Sequence, residues 1–96
     1  MADLKAKEYQ RFEDVKHITY EGIEFWYARE LAPVLEYAKW DNFRKVIDKA
    51  MLACRNSGFE IAEHFSEVGR MIEIGKGGQR KTKDYMLSRY ACYLIV

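Results

Sequence analysis

The chain has 96 residues, 49% of them hydrophobic and 32% charged, which suits one folded domain with a modest core and excludes a disordered polyelectrolyte. Its formal net charge of +1 says nothing for or against a nucleic-acid partner, and no apolar run is long enough to span a bilayer. Charge is nonetheless segregated: the balance is −3 over residues 1–37, +3 over 38–59, −3 over 60–75 and +4 over 76–96, so local patches can still steer an anion.

Residues 1–14 form a polar, acidic leading segment with a short helix expected at 6–12. Residues 15–20 alternate, Glu21-Gly22 is a turn signal, and Ile23-Glu24-Phe25-Trp26-Tyr27 resumes a β-rich run, so a hairpin is expected. Residues 28–37 read as a helix with Leu31, Ala32 and Leu35 on one face, although Pro33 interrupts it. The next helix is clearer: Phe43, Val46, Ile47, Ala50, Met51 and Cys54 form a full amphipathic stripe. Asp41 suits its start, Lys49 and Arg55 its end, and Ser57-Gly58 stops it. Residues 62–65 read as irregular. Residues 67–74 and 80–87 are expected to be the arms of a second hairpin, after which Ser88 caps a final helix.

The sequence thus predicts an α+β fold: small β-hairpins packed with helices, including a helix-turn-helix-like pair followed by a basic wing hairpin. Its expected core is Trp26, Leu31, Leu35, Phe43, Val46, Ile47 and Tyr90. The last residues, Tyr90-Ala91-Cys92-Tyr93-Leu94-Ile95-Val96, are apolar nearly all round. Such a helix asks to be covered or continued, so the expectation is a chain truncated at its C-terminal side and a homodimer through this helix. Cys54 and Cys92 lack metal-ligand spacing and read as small buried hydrophobes in a reducing, cytoplasmic setting.

The most informative stretch is the glycine-rich cationic loop between the two arms of the second hairpin. Gly75, Gly77 and Gly78 allow a tight turn and close approach to a partner, while Lys76, Arg80, Lys81 and Lys83 project charge from a thin support. A hairpin of that composition can track a phosphate backbone; the plainer account is a soluble tip whose lysines discourage strand pairing. The second helix offers Asn42, Arg44, Lys45 and Lys49 to a groove, Asn and Arg for base edges and Lys for phosphate. A solvated face on a core helix is the simpler account of these four, since any surface helix shows charge opposite its apolar stripe. Trp40 and Tyr85 are candidate stacking rings. His17 and His64 have no local partner at metal or nucleophile spacing, and Glu60, Glu63 and Glu67 around His64 read as a hydrated patch. No catalytic residue, metal ligand or cofactor is expected.

The segments Trp26-Tyr27-Ala28-Arg29-Glu30-Leu31-Ala32, Tyr37-Ala38-Lys39-Trp40-Asp41-Asn42-Phe43 and, most specifically, Leu87-Ser88-Arg89-Tyr90-Ala91-Cys92-Tyr93-Leu94-Ile95 resemble a family of DNA-damage-inducible bacterial proteins. The N-terminal module of that family is similar to the N-terminal domain of the Bro family and of phage antirepressors. The likeness runs from Phe12 to Val96, which makes residues 15–96 one domain of this type. Where the family carries Leu-Gly-Tyr in the turn between its first two helices, this chain has Leu35-Glu36-Tyr37. The resemblance implies a non-catalytic, DNA-binding type of module in an SOS-response protein. Its alternative implication is a module that acts on DNA repair or recombination proteins, such as a recombinase filament. It supplies no list of contact residues, so the eight candidates above rest on charge and placement alone.

Overall fold

Two antiparallel hairpins join edge to edge in this protein, and helices pack around the seam. The computed structural model describes residues 6–96. In chain order the elements are α1 (Ala6–Asp14), β1 (His17–Ile18), β2 (Glu24–Tyr27), α2 (Ala28–Val34), α3 (Trp40–Asn56), α4 (Ile61–His64), β3 (Phe65–Glu73), β4 (Gln79–Leu87) and α5 (Arg89–Ile95). The sheet runs β1-β2-β4-β3, with Trp26 opposite Leu87 where the hairpins meet. The fold is α+β.

The first hairpin reverses through residues 19–23, where the Thr19 and Gly22 amides donate to the Ile23 and Thr19 carbonyls at 2.8 and 2.9 Å. Its first strand is shorter than the expected 15–20. The Lys16 amide instead bonds the Glu13 carbonyl at 3.2 Å, and its ammonium lies 3.2 Å from Glu13 and 3.5 Å from Glu24. Lys16 therefore closes the end of α1 rather than extending β1.

Helix α2 ends at Val34 rather than at residue 37. The Glu36 amide bonds the Pro33 carbonyl at 3.1 Å and the Tyr37 amide bonds Ala32 at 2.9 Å, a Schellman termination that requires a left-handed residue at Glu36. Its φ is 66°. This is the position at which the resembling family carries glycine, and the backbone supplies the reason. The end of α3 repeats the motif with the usual residue: Gly58 has φ 87°, and the Gly58 and Phe59 amides bond Arg55 and Cys54 at 3.0 and 3.2 Å.

The amphipathic stripe of α3 behaves as its periodicity predicts. Phe43, Ile47, Ala50 and Cys54 are buried, with Val46 and Met51 packed against them. Trp26, Leu31, Phe43 and Ile47 are fully buried, whereas Leu35, Val46 and Tyr90 line the core's margin. Phe12 joins this core, stacked on Trp26 at 4.5 Å, and its carbonyl accepts the indole N–H of Trp26 at 2.9 Å. A buried indole needs such an acceptor. Residues 62–65, expected to be irregular, instead complete the single turn α4 and, at Phe65, begin β3.

Ser88 caps α5 as expected, its hydroxyl accepting the Ala91 amide at 3.0 Å. The expectation of an uncovered apolar helix needs revision. Ala91, Cys92 and Ile95 of α5 are buried and Tyr93 is exposed; α3 is the main helix packed against them. That cover comes from the chain itself, so the apolar composition of α5 is no argument for a second copy. Burial also pushes both thiols, Cys54 and Cys92, above their ordinary pKa.

Candidate nucleic-acid interface

The β3–β4 hairpin turns through Gly75, Lys76 and Gly77, whose φ values are 90°, 48° and 77°. The Gly78 amide closes the turn on the Gly75 carbonyl at 2.9 Å. Left-handed backbone at both central residues, Lys76 and Gly77, matches the twist of the flanking strands. Lysine has a Cβ and is strained there by about 1 kcal/mol.

Paired residues of an antiparallel ladder share a face, and faces alternate along each strand. The register sets Gly69 opposite Lys83, Met71 opposite Lys81 and Glu73 opposite Gln79, while Arg70 faces Thr82 and Ile72 faces Arg80. The four wing cations, clustered within residues 76–83, are thus divided. Lys76 is at the apex, Lys81 and Lys83 lie on an outer face with Glu67 and Glu73, and Arg80 lies on an inner face with Asp84. Lys83 pairs with Glu67 at 3.1 Å, both side chains more than half exposed, and such a pair contributes little. Lys81 runs across Gly69, where a Cβ would meet its Cε at 3.1 Å. Among the described residues Lys76, Arg80 and Lys81 make no ion pair.

On α3 all four candidates are exposed. Asn42, Lys45 and Lys49 recur at i, i+3 and i+7 and share one stripe. Arg44 stands apart, with Asp41 and Asp48 at the spacings that place them beside it. Of the suggested stacking rings, Tyr85 is buried and Trp40 already carries the Arg29 guanidinium 4.1 Å above its ring.

Behind the wing lies an ionic cluster that the sequence reading missed. Asp84 is fully buried. One carboxylate oxygen accepts the Arg29 amide at 3.0 Å and the Tyr85 amide at 2.8 Å; the other meets Arg70 at 2.9 Å. Because Arg29 is the second residue of α2 and Tyr27 provides no side-chain cap, Asp84 caps that helix from a different element. Arg70 continues to Glu30 at 3.4 Å, lies 3.7 Å over the Tyr27 ring, and Glu30 meets His17 Nε2 at 2.6 Å. An aspartate directly after Lys83 looks like a solvent charge in sequence; only its alternation with Thr82 and Met86 hinted at the inner face.

A second bracket holds the other side of the sheet. Arg89 grips Glu24 with two bonds of 2.6 and 3.0 Å, reaches Glu13 at 3.1 Å and sits 5.1 Å over Trp26. Its hydrogen bonds hold the Glu24 carboxyl below the ordinary range. Burial opposes the same effect at Glu13, but Arg89 and Lys16 outweigh it and the net shift is downward.

His64 Nδ1 is engaged with the Ser88 hydroxyl at 2.7 Å. Among the described residues no group of three or more His, Cys, Asp or Glu could hold a metal ion, and no helix is long and apolar enough to cross a membrane.

Residues 14–96 match the BRO family, N-terminal domain. The chain belongs to that family. This Bro-N domain is 44% identical over 90 residues to the DNA damage-inducible protein D of Escherichia coli (strain K12), a match covering 94% of this chain and 33% of that protein. The chain therefore spans about a third of that relative's length. No solved structure matches it.

Proposed function

We propose that this Bro-N domain binds DNA, as part of a protein induced by DNA damage, through the wing and the exposed stripe of α3. The single observation that carries the reading is the wing itself: Lys76, Arg80 and Lys81 stand exposed without ion pairs among the described residues, on a hairpin whose apex holds a lysine in strained left-handed backbone. Strain retained at an exposed charged tip is expected where the tip has a task. Family membership and the name of the E. coli relative support the same direction. In this reading Lys76, Arg80, Lys81 and Lys83 meet phosphates, while Asn42, Lys45 and Lys49 approach a groove together with Arg44 from the neighbouring stripe.

The test is a titration of fluorescent duplex and single-stranded DNA with the chain and with its Arg80→Ala/Lys81→Ala/Lys83→Ala variant. Binding that weakens with salt, and a variant with a shallower salt dependence, is the expected result. Absence of binding to either DNA at low salt would overturn the proposal. Altered sequence preference in Asn42→Ala or Arg44→Ala would support α3 in a groove; equal loss on every sequence would remove it from that role.

A further inference from the structure

Building on the DNA-binding reading, we propose that the phosphate backbone is held on the inner face of the wing, by Arg29 of α2 and Arg80 of β4 acting as one site. The two arginines are far apart in the chain, and Arg29 was no candidate in the sequence. The fold brings them to one side of the hairpin. Arg80 alternates with Thr82 and Asp84 on that face, and the Asp84 carboxylate accepts the Arg29 amide at 3.0 Å.

Arg29 is built to present its charge. Its Nε donates to the Lys83 carbonyl at 2.8 Å and its guanidinium carbon lies 4.1 Å from the centre of the Trp40 ring, so the side chain is held from two directions. Both terminal nitrogens have no protein hydrogen-bond partner among the described residues. A guanidinium held this way offers a phosphate the two parallel donors of its fork with little ordering entropy left to lose.

Charge bookkeeping distinguishes the two faces. On the outer face Lys81 and Lys83 share the surface with two exposed acids, Glu67 and Glu73, and Lys83 is already paired with Glu67. On the inner face the acids are committed elsewhere: Asp84 and Glu30 both meet Arg70, and Glu30 also meets His17. Neither the Arg29 nor the Arg80 guanidinium makes an ion pair among the described residues. Partial burial, chiefly, holds the Arg29 guanidinium below its ordinary pKa; Asp84 attracts it and Arg80, on the same side of the hairpin, repels it more weakly.

The experiment compares binding of a labelled duplex by the wild-type chain, Arg29→Met, Arg29→Lys, Arg80→Met and Lys81→Met/Lys83→Met over a salt series, with thermal melts of each. Arg29→Met and Arg80→Met are each expected to weaken binding about tenfold and to lower the salt slope by about one. The double lysine variant should lose less than either. Arg29→Lys should recover the slope but only part of the affinity, since it keeps the charge and loses the fork. If Arg29→Met melts early, Arg80→Met, at an exposed strand position, carries the comparison. Should both arginine variants bind as wild type while the lysine variant fails, this inference is overturned and the DNA-binding proposal stands. Should the wild type bind no DNA, both fall.

Discussion

The root and the tip of the β3–β4 hairpin are made by the same two strands, yet their charges do opposite things. At the root Asp84 is withdrawn from water and Arg70 is half-buried, and their pairing, with two backbone amides, fastens the hairpin to α2. At the tip Lys76, Arg80 and Lys81 are exposed and unpaired among the described residues. Charge at the root is held by structure, and charge at the tip is left available to a partner. Sequence composition cannot separate the two, because Lys83 and Asp84 are neighbours.

Substitutions can break or sharpen that contrast. The largest effect is expected at Asp84: Asp84→Ala strips Arg70 of its buried partner and uncaps α2, and should lower unfolding free energy by about 3–5 kcal/mol in a denaturant melt. A loss below about 1 kcal/mol would mean the root is not ionically fastened.

Acid should loosen the second bracket. Glu13 and Glu24 have folded-state pKa values depressed below the ordinary 4.5, so the unfolded chain takes up their protons first as pH falls. The stabilisation is complete above pH 4.5 and is lost as pH drops through the lower folded values. A melting temperature that falls below pH 4.5 in wild type, and falls less in Glu24→Gln, checks this. An identical acid profile in both would remove Glu24 from the bracket.

The two non-glycine residues in left-handed backbone give a finer comparison. Glu36→Gly is expected to raise stability by about 0.5–1 kcal/mol, because glycine removes the Cβ strain of the Schellman position. Lys76→Gly should stabilise the hairpin by a similar or smaller amount while weakening DNA binding, which separates strain kept for function from strain that is merely tolerated. The smallest stability effects belong to the tip: Arg80→Ala and Lys81→Ala should stay within about 0.5 kcal/mol of wild type by thermal melt, whatever they do to binding.

Much of the architecture was legible because it depends on local periodicity. The Phe43–Ile47–Ala50–Cys54 stripe could be read from a 3.6-residue repeat, Ser88 from its place before an apolar run, and the second hairpin from glycines between alternating arms. The end of α2 was not, because it depends on Glu36 taking a conformation that its side chain disfavours. The candidate site divides in the same way. The wing cations were visible as a cluster, but their separation onto two faces follows from register, and Arg29 follows from contacts between α2, α3 and β4.

By itself the sequence determined the central helix, the second hairpin and the capped final helix, which faces of them are apolar, and that a cationic glycine turn punctuates the chain, since each of these is encoded within a few neighbouring residues. Only the tertiary structure decided which charges are spent and which are free. A carboxylate's partner is fixed by the packing of distant elements, as when Asp84 reaches an amide 55 residues away, and no local pattern records that distance closing.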